Sequence, residues 1–111
     1  KGATPLSGVF AIEPLAHTVL QTDIRLTPEI VASCSPQNLD MHFNGPVICA
    51  VGGGESDEFK RQSADFTAKC QSLGLACEYV ETGDDDHFAI VDRLGDADAA
   101  FTRSVIAQMG L

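Results

Sequence analysis

An unbroken apolar run, Val47-Ile48-Cys49-Ala50-Val51, lies between Pro46 and three successive glycines, Gly52-Gly53-Gly54. Continuous rather than alternating apolarity predicts a strand covered on both faces, as in a parallel sheet. Behind it Phe59, Ser63, Phe66, Cys70 and Leu73 recur at spacings of four and three, one face of a helix. Ser56 is placed to cap that helix, Asp57 and Glu58 suit its positive end, and Gly74 supplies the stop. Residues 75–81, LACEYVE, read as the next strand, followed by the turn GDDDH and helical stretches at 88–94 and 100–109. The last of these carries Phe101, Val105 and Met109 on one stripe. Upstream, ATPLSGVF at 3–10 is a short, mostly apolar run ending near Ser7-Gly8, and it too is strand-like.

Residues 11–45 break this rhythm with Pro14, Pro28, Pro36, scattered polar residues and short helical pieces. Thr27-Pro28-Glu29 is a helix start there: a hydroxyl cap, a proline in the first turn and an acid behind it. So long a connection reads as a lid-like insertion, the kind of segment that often carries function. The order strand, insertion, strand, helix, strand, helix is an α/β pattern, for which parallel pairing is the default. It predicts parallel strands near 4–9, 46–51 and 76–81, flanked by helices near 57–73 and 100–109.

With 111 residues the chain is one domain, and 44% hydrophobic content is enough for a packed core. A net charge of −9 and the absence of any basic cluster disfavour nucleic acid and anionic membrane surfaces as partners. No apolar stretch is long enough to span a bilayer. Cys34, Cys49, Cys70 and Cys77 form no CxxC pair and stand at no zinc-finger spacing from a histidine. Cys49 in the apolar run and Cys70 on the helical stripe read as small buried hydrophobes, so reduced thiols and a cytoplasmic location are expected.

Parallel strands end on one side of their sheet, and ligands gather outside those ends. Here one strand ends in GGGES and the next in TGDDDH, so Glu55 and His87 are expected at the same edge. A carboxylate that orients an imidazole is two-thirds of a nucleophilic-catalysis constellation. Taken alone, His87 in an acidic turn would be a solvated histidine. Asp84, Asp85 and Asp86 read as positional or solvated, since nothing else completes a metal-ligand set. The glycine triplet fails as a phosphate loop, because Glu55 and Asp57 would oppose phosphate charge; glycines that let a tight turn place Glu55 fit better. His17 and His42 read as surface or insertion residues.

VGGGESDEFKRQS, followed by DDDHFAIVDRL and preceded by SGVFAIEPL, resembles the C-terminal half of α/β-hydrolases. The likeness is to the kynurenine formamidase (arylformamidase) and small-esterase branch, and it includes LTPEIVASCSP in the insertion. It implies that residues 1–111 are a single partial domain holding the last three strands of that sheet, with 11–45 as the insertion. On the family pattern the triad acid falls on Glu55, with Asp57 as the lesser candidate, and the base on His87. The substrate implied is an aryl formamide, N-formylkynurenine being the family example, or a carboxylic ester, with no cofactor and no metal. No Gly-x-Ser-x-Gly occurs in the chain, so the resemblance places the nucleophile elbow before Lys1. The chain by itself is then expected to be inactive, and to self-associate or bind the missing N-terminal half. The alternative is a non-catalytic α/β module or hydrolase remnant.

Overall fold

The computed structural model describes residues 1–111. Its centre is a parallel pair, β1 (Val47–Gly52) and β2 (Cys77–Thr82), in register from Val47 opposite Cys77 to Gly52 opposite Thr82. Every residue of β1 is buried, as two-sided cover requires. Its side chains alternate between two small cores. Val47 and Cys49 face one with Phe10, Phe66 and Cys70, where the Phe10 and Phe66 rings stack with centroids 4.0 Å apart. Ile48 and Ala50 face the other with Ile90 and Phe101. The outer strand β2 is less covered and exposes Glu78 and Glu81, charges that discourage edge-to-edge pairing.

The insertion contains two short helices, α1 (Gln21–Ile24) and α2 (Pro28–Cys34). The Thr27 side chain caps α2 by accepting from the Ile30 N–H. Between β1 and β2 runs α3 (Asp57–Ser72), which buries Ser63, Phe66 and Cys70 of the expected stripe together with Gln62 and Thr67. Leu73 departs from that stripe: it lies beyond the helix end and is exposed. After β2 come α4 (Ala89–Asp92), a 3-10 turn at Arg93–Gly95 and α5 (Ala100–Met109). Phe101 is buried, Val105 packs against the second core and Met109 is exposed. No helix is long and apolar enough to cross a membrane.

The first segment is where the structure differs most from the sequence reading. Residues 4–9 do not form a full strand; the segment touches β1 through isolated parallel bridges, Ala3 with Val47 and Leu6 with Ala50. The Ala3 N–H donates to Pro46 O, Ile48 N–H to Ala3 O, Ala50 N–H to Pro5 O and Ser7 N–H to Ala50 O. The rung missing from the middle of that ladder is the one Pro5 would donate, and proline has no N–H. At Ser7 the backbone turns to φ 47°, which ends the extended run. On the far side, Thr4 and Leu6 make no backbone hydrogen bond at all.

Candidate active site

Because Gly52 pairs with Thr82, both strands release their loops at the same level of the sheet. The two loops interlock. Gly54 N–H donates to Asp85 O at 3.0 Å and Gly53 N–H to Thr82 O at 3.4 Å, while Asp85 N–H closes its own turn on Thr82 O at 3.2 Å. A Cβ on Gly52 would stand 2.1 Å from Asp85 O, and one on Gly53 1.7 Å from Gly83 O. Glycine is required at these positions by close approach of the second loop.

This packing delivers Glu55 and His87 to one point. His87 Nδ1 lies 2.8 Å from Glu55 Oε2. The carboxylate is almost fully enclosed, its side chain 1% exposed, whereas the imidazole is 51% exposed. Glu55 Oε1 accepts from the Gly52 N–H at 2.9 Å and from the Ser7 hydroxyl. Burial works against the charge on Glu55, but the bonds from Ser7, Gly52 and His87 outweigh it and hold the carboxyl below its ordinary value. An ionised carboxylate only accepts, so Nδ1 is the donor and, in the neutral ring, Nε2 keeps its lone pair. No other group hydrogen-bonds the ring, which leaves Nε2 open.

The acidic turn that precedes His87 has a mechanical role. Asp85 receives both Nε and Nη2 of Arg93, and that guanidinium holds its carboxyl below the usual range despite partial burial. Asp86 accepts from the N–H groups of Phe88 at 2.9 Å and Ala89 at 2.8 Å, which starts α4 directly after the histidine. Those two backbone bonds, Ala89's the larger, also lower the Asp86 carboxyl. The three aspartates and His87 do not converge as a metal-ligand group. Phe59 and Phe88 flank the ring with centroids 4.9 and 5.8 Å away, and Phe88 is largely solvent-exposed.

Glu55, not Asp57, faces the histidine. His17 instead pairs with Glu13 at 2.7 Å on the exposed insertion, and His42 is also exposed. Sequence reasoning missed three contributors: Ser7, Phe59 and Phe88. The signal for Ser7 was its place at the C-terminal end of a sheet segment, on the edge where the other two loops open.

An enclosed carboxylate thus backs a half-exposed imidazole at the C-terminal edge of parallel β-segments on an α/β scaffold. No family profile matches the chain. Two curated relatives are similar to it, and both are named kynurenine formamidase. The protein of Danio rerio is 25% identical over 115 residues and that of Salmo salar 29% over 116. Each alignment takes in 99% of this chain, which spans only 39% and 40% of those relatives' lengths. Among solved structures, a Silicibacter sp. protein described as a thioesterase superposes with a TM-score of 0.78 at 19% identity. The match covers 91% of this chain and 37% of that one, and at this identity it is a likeness of fold.

Proposed function

We propose that these residues are the acid–base portion of a serine-type α/β-hydrolase, contributing its last three sheet segments and their helices. The observation that carries the reading is the Glu55–His87 contact with Nε2 open to solvent. Glu55 orients the ring and stabilises the imidazolium; His87 is the base and then the acid. The nucleophile is a serine on polypeptide outside these 111 residues. Its proton passes to Nε2 as its oxygen attacks the carbonyl carbon, and the imidazolium returns that proton to the departing amine or alcohol. Water then attacks the acyl-enzyme by the same route, which releases the acid and regenerates the serine. The names of the two relatives favour an aromatic formamide as substrate, split to formate and an arylamine. Short-chain carboxylic esters come second. The exposed Phe88 and the neighbouring Phe59 offer aromatic surface beside the ring for such a substrate.

His87→Ala in the polypeptide that carries the serine should lower kcat toward an aryl formamide or aryl ester on the order of 10^4- to 10^6-fold. Near-normal turnover would sink the reading and favour a non-catalytic module. The 111 residues alone should hydrolyse such substrates no faster than free imidazole.

A further inference from the structure

Ser7 occupies a backbone position that serine does not favour. Its φ of 47° lies in the left-handed region, which glycine enters freely and other residues enter at a cost. The residue is 6% exposed, so its hydroxyl does not serve solvent. Its N–H is already used on Ala50 O, at 2.8 Å. What serine adds at this position is the hydroxyl, and that hydroxyl donates to Glu55 Oε1. It does not bond His87, so Ser7 is not placed as a nucleophile.

The two oxygens of Glu55 are divided between two tasks. Oε1 takes the Ser7 hydroxyl and the Gly52 N–H, and Oε2 takes His87 Nδ1. The terminal torsion of a glutamate is broad, so a carboxylate held by one donor can pivot about its last bond. A second donor on the same oxygen, arriving from a different segment of the sheet, removes that freedom. We propose that Ser7 is a positioning residue, whose hydroxyl fixes the plane of the Glu55 carboxylate so that Oε2 is presented to His87 Nδ1. The proposal rests on the reading of Glu55 and His87 as an acid–base pair. The depressed carboxyl of Glu55, to which the Ser7 bond contributes after burial opposes it, is consistent with such a role.

Ser7→Gly separates positioning from structure, because it deletes the hydroxyl while relaxing the backbone. The readouts, taken on the 111-residue chain, are the titration midpoint of Glu55 by carboxyl carbon NMR and the tautomer of His87 by ring-nitrogen NMR. Ser7→Gly should raise the Glu55 midpoint toward the ordinary 4.5 and reduce the share of ring protonated at Nδ1, with the amide spectrum unchanged outside the site. In a Glu55→Gln background the same substitution should leave the tautomer where Glu55→Gln alone puts it, as a double-mutant cycle requires of a residue acting through Glu55. Ser7→Ala, which keeps Cβ, supplies the same readouts if the glycine variant is too loose to fold. Wild-type midpoint and tautomer in both variants would overturn the proposal, as would equal tautomer shifts in both backgrounds. These signals do not depend on turnover. A positive NMR result beside an active His87→Ala enzyme would reject the hydrolase reading alone, and a null result beside an inactive one would reject only the role of Ser7.

Discussion

Gly53 lies so close to the Gly83 carbonyl that a single methyl group there has no room. Gly53→Ala should therefore push the two loops apart and cost about 1–3 kcal/mol, as overpacking commonly does. Gly95 provides the contrast, since nothing lies within 4 Å of the Cβ it lacks. Gly95→Ala should stay within about 0.5 kcal/mol of the parent. Urea denaturation of the pair checks both, and equal midpoints would mean that the loops do not interlock. Cys49 and Cys70 behave as the sequence implied: both are fully enclosed and unpaired, and burial pushes their thiols up to about 12 and about 11. Thiols so far from ionising are packing groups rather than nucleophiles.

At the level of elements, α3 does more than cover the sheet. Lys69 in its last turn reaches the carbonyls of Pro36 and Gln37, at 3.2 and 2.8 Å, and that of Leu39, and so fastens the far end of the insertion. Gln62 Oε1 accepts from Phe10 N–H and Ala11 N–H, both at 2.8 Å, and fastens the near end. Lys69→Ala should cost about 1–3 kcal/mol, the range for charge-assisted bonds left unmade. Hydrogen exchange should quicken in residues 36–45 while β1 and β2 keep their protection; unchanged exchange there would show the anchor to be idle. Neither anchor was legible in the sequence, because a lysine and a glutamine on a helix read as solvated unless the carbonyls they meet are known. The strands and α3 were legible because an apolar run and a helical stripe are local signals. Pro5 was in view, yet its effect depends on which edge of the segment faces β1, and that is a tertiary fact. Glu55 and His87 were legible because parallel pairing forces their loops onto one edge. Ser7 was not, since a Ser-Gly pair reads as a turn before its hydroxyl has a partner.

The whole molecule is thin for its mass. Its extents are 43 × 30 × 19 Å, and it exposes 6733 Å². A compact monomer of 11.7 kDa exposes about 5,900 Å² by the usual scaling, an excess of roughly 800 Å². That is about what one partner hides in a standard interface. Two features lie where cover is lacking: the unpaired backbone of Thr4 and Leu6, and an open apolar groove beside it lined by Phe10, Met41, Phe43 and Phe66. Analytical ultracentrifugation at micromolar concentration should accordingly find the chain self-associated; a clean monomer would count against an interface at this edge. Acid should unfold it. The carboxyls of Glu55 and Asp85 sit below their ordinary values in the fold, so their contribution is full above about pH 5 and disappears as pH falls through the depressed values. Glu58, drawn down to about 2 by Arg61, follows the same sign but is half-exposed, so solvent screens the pair and it contributes little. Urea midpoints should hold between pH 7 and 5 and drop by pH 3, with a shallower drop in Glu55→Gln; a midpoint that rises at pH 3 would contradict the assignment.

The shared exit level of β1 and β2 also decides where the gene can tolerate a change of length. Strand residues advance about 3.3 Å each, and a slip of one turns every side chain to the opposite face. Such a step exceeds the 2.8 Å that joins Glu55 to His87. An added or deleted codon between Val47 and Glu55, or between Cys77 and His87, therefore moves one partner out of reach of the other. The insertion enters neither strand nor either loop, so its length can drift between relatives while the spacing of the pair stays fixed.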